Sequence, residues 1–181
     1  MKKFLPITIS FAFLLSPTLN SNAQLIPAYD DIFIPMSDGD SLQADVYIPS
    51  SVTSAEVIFI QTPYNKDWFS LSLPMGVGLD LDTQPFIWVI VDWRGFYGSS
   101  MADVSSVDRG QDAFDACDWI IAQTWSDTRI GTWGPSALGG IQYQLINKHH
   151  PNHICAVPLV ATGDQSYENY FYGGVLEEAR L

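Results

Sequence analysis

Basic residues are scarce. Eight lysines and arginines stand against 20 aspartates and glutamates in 181 residues, a formal charge of −12. A chain this acidic repels phosphate backbones, which excludes a nucleic-acid role. Cysteine is scarcer still. Cys117 and Cys155 fall on an amphipathic helix and in an apolar strand, and they are expected to be two separate buried thiols rather than a disulfide framework. Histidine is confined to His149, His150 and His153. No internal repeat and no Ser- or Pro-rich linker divides the chain, and no apolar run reaches the roughly 20 residues that span a bilayer. What is plentiful is apolar: 47% of residues are hydrophobic and 13% aromatic, with six tryptophans. That composition is incompatible with disorder and sufficient for one core of ordinary size.

The first residues read as an export address. Lys2 and Lys3 precede the apolar stretch from Phe4 to Leu15, and Ser21-Asn22-Ala23 supplies small residues at the −3 and −1 positions of a signal-peptidase site. Residues 1–23 are therefore expected to be a signal peptide, and the product secreted or periplasmic with no membrane association after cleavage. One domain is expected over 28–181.

Hydrophobic periodicity sets the fold class. Ile32 to Ile34 and Leu42 to Ile48 flank Ser37-Asp38-Gly39-Asp40, and the second run alternates apolar and polar, which predicts an antiparallel hairpin with one wet face. Val57 to Ile60 and Phe86 to Val91 are continuously apolar, as in parallel strands covered on both sides. Helical spacing runs from Asp108 to Trp125, a strand from Arg129 to Gly134, a helix from Ala137 to His149, and a last apolar strand from His153 to Ala161. The class is α/β: an antiparallel entry leading into a parallel sheet with crossover helices. Asp108, Asp112, Asp115 and Asp118 are expected to form a solvated face that complements a helix dipole. No compact ligand spacing recurs among them, and the reading calls for no metal and no cofactor.

Chemistry concentrates in Trp133-Gly134-Pro135-Ser136-Ala137-Leu138-Gly139-Gly140. A serine on a tight strand-to-helix turn lifts its hydroxyl beyond the sheet edge, with the first free amides of the helix aimed at whatever it attacks, an arrangement suited to acyl transfer. Gly134 leaves room before the turn, and Gly139 and Gly140 are expected to let the helix lie close to the neighbouring strand. A glycine-rich turn that merely starts a helix has the same composition. The common elbow also carries glycine two positions after its serine, where Leu138 stands here.

Further segments identify a family. Met36-Ser37-Asp38-Gly39 with Ala44-Asp45-Val46-Tyr47, then Thr62-Pro63-Tyr64-Asn65-Lys66, then Asp92-Trp93-Arg94-Gly95 with Gly98-Ser99, and finally Gly134-Pro135-Ser136-Ala137-Leu138-Gly139 resemble, block by block and in order, the X-Pro dipeptidyl-peptidase-like hydrolases. That group includes cocaine-esterase-like enzymes, glutaryl acylases and α-amino-acid ester hydrolases. The resemblance implies an α/β-hydrolase fold, Ser136 as nucleophile, the Tyr64 phenol as one oxyanion donor and the backbone N–H of Ala137 as the other. It implies a small-molecule ester, amide or peptide substrate. Ala137 replaces the tyrosine that usually follows the family's serine, and Leu138 replaces the acid that the α-amino-acid ester branch uses to bind a substrate ammonium. Tyr64 follows the strand ending at Gln61 and so belongs to the same sheet edge as Ser136. Asp92 and Arg94 are expected to be a loop-bracing pair.

The general base is missing from this reading. His149 lies 13 residues past Ser136 along a helix, roughly 20 Å away at the other sheet edge. His150 and His153 share that problem, and all three are expected to supply helix-terminal charge and a surface loop. Asp164 falls at the correct edge and is a candidate triad acid or substrate contact. In the resembled family the triad acid and histidine follow far downstream, so the chain is expected to be the N-terminal portion of such an enzyme, inert alone. Its last strand is then an open apolar edge awaiting a C-terminal partner segment. The competing reading is a non-catalytic α/β-hydrolase-like binding or assembly module. A nucleotide site is weaker, since Gly134-x-Ser136-x-x-Gly139 lacks a P-loop lysine.

Overall fold

The computed structural model describes residues 25–71 and 84–163, with the two short strands 171–172 and 175–176. The signal-peptide reading and Asp164 lie outside the described residues. Six strands form one sheet: β1 (Tyr29–Pro35), β2 (Ser41–Tyr47), β3 (Ala55–Thr62), β4 (Ile87–Asp92), β5 (Ser126–Pro135) and β6 (His153–Leu159). Their order is β1-β2-β4-β3-β5-β6. The β1–β2 and β2–β4 pairs are antiparallel, and every pair from β4 to β6 is parallel. Helix α1 (Arg109–Ile121) crosses from β4 to β5 and α2 (Ala137–Lys148) from β5 to β6. A separate two-stranded ribbon pairs β7 (Phe171–Tyr172) with β8 (Val175–Leu176).

Local chemistry explains these elements. Every residue of β4 is buried, which is why its apolar run does not alternate. Gly39, at φ 95°, closes the hairpin in a conformation other residues adopt only with strain. Asp108 caps α1, its side chain accepting from the amide of Gln111 at 3.0 Å. Ala113, Ala116, Cys117 and Ile120 of α1 pack with Leu145 of α2 onto Leu42, Val57, Phe59, Val89 and Ile130 of the sheet. On a second face Tyr47, Ile60, Trp88 and Ile90 gather with Phe69, from a single 3-10 turn at Lys66–Ser70, and with Leu138.

Charge is buried where loops must hold still. Arg94 is 3% exposed and bonds the Asp112 carboxylate through Nε and Nη2, with Asp38 and Asp40 also on its guanidinium. It therefore joins the turn after β4 to α1 and to the β1–β2 hairpin. Asp92 is separate from it, and its carboxylate accepts the amides of Lys66 at 2.8 Å and Gly98 at 3.1 Å. Both residues brace loops, but they do not pair with each other as expected, because Arg94 finds a closer acid on α1. Asp112 corrects a second expectation, since it lies buried on the apolar stripe of α1 rather than on its solvated face.

Three further expectations change. Cys117 is buried, but Cys155 is exposed, because β6 is the outer strand of the described sheet. There Ile154 (60% exposed), Val157 and Leu159 also face outward, as an open apolar edge requires. His150 is buried against the ring of Phe114, 3.2 Å from Asp118. His153 sits 2.9 Å from the Thr132 hydroxyl, and burial lowers its pKa. Only His149, at φ 56° as the C-cap of α2, holds the expected helix-terminal position.

Two outcomes test these buried charges. Arg94→Met leaves Asp112 buried without its partner and lowers unfolding free energy by about 3–5 kcal/mol in urea titrations, most of it recovered when Asp112→Leu is added. Burial pushes the Asp92 carboxyl up from 3.8 to about 6, against the pull of its two amide donors. The folded chain therefore keeps this proton where the unfolded chain has released it. The stability Asp92 contributes is full below its unfolded value and lost as pH rises through about 6. Relative to Asp92→Asn, the unmodified protein should lose about 3 kcal/mol between pH about 3.5 and about 7.5, measured by the same titrations.

Candidate active site

Ser136 and Tyr64 follow the carboxyl ends of two neighbouring parallel strands. β3 and β5 lie side by side, with Phe59 opposite Thr132, and both strands end three residues later, at Thr62 and Pro135. Beyond that edge the chain from β3 turns back toward β4 on one side while the chain from β5 turns toward β6 on the other. Connections that diverge from neighbouring parallel strands leave a crevice at their carboxyl ends, where ligands of open α/β sheets bind.

Ser136 occupies the sharpest point of that edge. It is exposed, with φ 54° and ψ −121°, a strained conformation for a residue with a Cβ. Its side chain does not cap α2, so the hydroxyl is not spent on the helix it precedes. Its backbone is fixed instead: the amide donates to Leu159 O at 2.9 Å, and its carbonyl accepts from the amides of Gly139 and Gly140. Of the first-turn amides that a helix leaves without internal acceptors, those of Ala137 and Leu138 remain beside the serine. Ala137 is half-buried there.

The glycines around the turn are unequal. Gly134 has φ 152°, and a Cβ on it would run into the side chain of Leu138. A Cβ on Gly139 would lie 2.6 Å from Ala161 Cβ and 3.0 Å from Leu159 O, so here the helix does lie close against the β6 side. Gly140 has open space around it, contrary to the expectation that both glycines mediate that approach. Leu138 is 1% exposed and belongs to the core with Tyr47, Ile60 and Trp88. An apolar residue suits that surrounding, and a carboxylate there would be desolvated.

Tyr64 is 41% exposed on a loop that is pinned on both sides. Its amide bonds Thr62 Oγ1 at 3.0 Å, and Trp93 N donates to Thr62 O at 2.9 Å. Asn65, at φ 72°, accepts from Asp67 N, and Lys66 N donates to Asp92. The Lys66 side chain, 1% exposed, ends among Asp31, Asp45 and Asp67. Burial alone would lower the pKa of its ammonium, but bonds to three carboxylates outweigh that and raise it.

Two supporting residues escaped the sequence reading. Lys66 is one, although its place in Thr-Pro-Tyr-Asn-Lys was visible. Gln142 is the other. It is 2% exposed, donates to Leu138 O at 3.0 Å and Val157 O at 3.3 Å, and accepts from Thr132 Oγ1 at 3.1 Å. It thereby ties the start of α2 to β5 and β6, and its one signal is a polar residue four positions after Leu138 on the apolar face of a helix. None of the three histidines reaches this edge, for all lie at or beyond the C-terminal end of α2. Among the described residues the one trio of acids able to share a metal ion is Asp30, Asp31 and Asp45, on strands separated from β5 by β4 and β3.

The chain is 35% identical over 144 residues to the cocaine esterase of Rhodococcus sp. (strain MB1 Bresler), covering 79% of this chain and 25% of that one. It is 27% identical over 171 residues to a protein named as a serine esterase in Mycobacterium tuberculosis (strain CDC 1551 / Oshkosh), covering 81% of this chain and 27% of the relative. It thus spans about a quarter of the length of these relatives. Its fold matches an α-amino-acid ester hydrolase with a TM-score of 0.60 at 24% identity over 80% of this chain and 28% of the other. It also matches a CocE/NonD family hydrolase from Staphylococcus aureus with a TM-score of 0.59 at 22% identity over 71% and 26%. The strand order and the antiparallel entry are accordingly those of an α/β hydrolase. Residues 38–181 match the X-Pro dipeptidyl-peptidase (S15) family throughout, and the chain belongs to that family of serine hydrolases.

Proposed function

We propose that Ser136 is the nucleophile of an exported hydrolase that opens ester or amide bonds through an acyl-enzyme. The observation that carries this reading is the strained, exposed serine at the N-terminus of α2, whose hydroxyl leaves the helix uncapped. A non-glycine residue is held in such a conformation where the surroundings over-determine it and a function uses it.

In the proposed reaction the Ser136 Oγ attacks the substrate carbonyl carbon while a histidine takes the hydroxyl proton. The carbonyl oxygen becomes an oxyanion facing the Ala137 amide and the Tyr64 phenol. Collapse of this intermediate expels the alcohol or amine, which leaves with the proton held by the histidine. Water, deprotonated by the same base, then releases the acid and restores the serine. Leu138, buried rather than presented to the crevice, supports an uncharged acyl site next to the serine over one that grips a substrate ammonium. The histidine has to come from outside the described residues, as do its orienting acid and the walls that select the acyl group. A partner segment C-terminal to β6 is the natural source, since it would also cover the apolar edge formed by Ile154, Val157 and Leu159.

In the polypeptide that carries that histidine, Ser136→Ala should abolish labelling by a fluorophosphonate probe and lower kcat by about 10⁴-fold or more. Tyr64→Phe should keep the label, leave KM nearly unchanged and lower kcat by about 10²- to 10³-fold, the effect of losing one oxyanion donor. Labelling that persists in Ser136→Ala sinks the nucleophile assignment, and unlabelled unmodified protein favours the binding-module reading. The 181-residue chain alone should be unlabelled on the timescale of minutes.

A further inference from the structure

The hairpin carries carboxylates that the Ser136 site does not use. One extra residue in β1 between Tyr29 and Ile32 breaks the register with β2, and Asp31 within this bulge has φ 51°. Bulges re-aim side chains, and here Asp30 and Asp31 are brought to Asp45 with one oxygen of each within 4.8 Å of the others. Lys66 meets Asp31, Asp45 and Asp67, so with Asp30 a single ammonium faces four carboxylates. An open cleft of about 340 Å³ lies over the group, lined by Asp30, Asp31, Asp45, Asp67, Tyr47 and Ser70.

Acids on a surface are not in themselves a site. Tyr47 supplies an independent observation. It is 0% exposed, its ring packs in the core with Ile60, Phe69 and Trp88, and it lines the same cleft. Its hydroxyl has no hydrogen-bond partner. A buried hydroxyl left unbonded is destabilising and calls for a reason. The hydroxyl has a proton to donate and lone pairs to offer.

We propose that this cleft binds a divalent cation of the calcium type through the carboxylates of Asp30, Asp31 and Asp45, with the Tyr47 hydroxyl bonded to the ion or to a water on it. The donors are all hard oxygens, with neither sulfur nor imidazole, and a shallow irregular cleft suits the six to eight flexible oxygen contacts of Ca²⁺ better than the compact octahedron of Mg²⁺. Each carboxylate has two oxygens, so Asp31 and Asp45 can hold Lys66 with one and the ion with the other. Lys66 stands two residues after Tyr64 and hangs its amide on Asp92. Occupancy of the cleft thus sets the charge that anchors the oxyanion loop. The site itself does not depend on the hydrolase reading.

The test is a terbium luminescence titration of the 181-residue chain, excited through its aromatic residues. Saturable emission is expected, displaced by Ca²⁺ at concentrations at least about ten-fold below those of Mg²⁺. Asp30 makes no ion pair to Lys66, so Asp30→Asn should fold normally by circular dichroism and weaken binding by about ten-fold. Tyr47→Phe should weaken it several-fold, whereas Asp115→Asn on α1 should leave it unchanged. Unaltered titrations in both Asp30→Asn and Tyr47→Phe, or an equal loss in Asp115→Asn, would overturn the site and mark the emission as diffuse attraction to an acidic surface.

Discussion

The parallel pairing of β3 with β5 is the constraint on which the rest of this structure depends. It places two strand ends in neighbouring positions with Phe59 opposite Thr132, and it sends their outgoing connections in opposite directions. Were β5 to pair elsewhere, the segments carrying Tyr64 and Ser136 would leave the sheet from strands that are not neighbours. The pairing is bought with burial: β3 and β5 contribute Val57, Phe59 and Ile130 to the main core, beneath α1 and α2. The exposed edge that carries Ser136 and Tyr64 therefore rests on apolar packing in the sheet's middle.

Around that edge the chain relies on ionic groups removed from water. Arg94, Lys66, Asp92 and Asp112 are nearly or wholly buried, and each joins segments distant in sequence. Such groups stabilise less than apolar residues of the same volume would, because desolvation offsets most of the attraction. Their directional bonds nonetheless leave each loop a single arrangement. The turn after β4, the hairpin and the Tyr64 loop all meet charged partners in this way, and the serine turn is the exception. It is held by backbone hydrogen bonds and by glycines that admit no Cβ.

Much of this was legible in the sequence, and the failures have a common cause. The hairpin, the wholly buried β4, the two crossover helices and the serine turn each left a local mark: alternation, an unbroken apolar run, a 3.6-residue period, glycines at fixed offsets. The alternation of β2 marks a strand but not the wet face expected of it, for Asp45 and Tyr47 on that face are buried. The errors concern partners. Asp112 and Arg94 are 18 residues apart, and nothing local announces that they meet. Asp112 does stand one position from Ala113 and four before Ala116 on the buried stripe of α1, so its burial was readable although its partner was not. His150 looked like helix-end charge, yet Phe114 and Asp118 enclose it. The apolar neighbours of Cys155 point to the interior, but burial of a strand is decided by what pairs beside it. The lysine of Thr-Pro-Tyr-Asn-Lys is visible in the sequence as part of a motif, and only the folded hairpin shows which acids it serves.

Gly139 and Gly140 are indistinguishable in composition and adjacent in the chain, yet the first faces the carbonyls of Gly134 and Leu159 and the second faces open space. Under random mutagenesis position 140 would accumulate changes freely, while position 139 would remain nearly invariant. Drift in this segment would thus be governed by the helix-to-strand contact, so a lineage that had lost hydrolysis altogether could still retain Gly139. Persistence of that glycine reports an intact scaffold and carries no information about whether the serine three residues before it is at work.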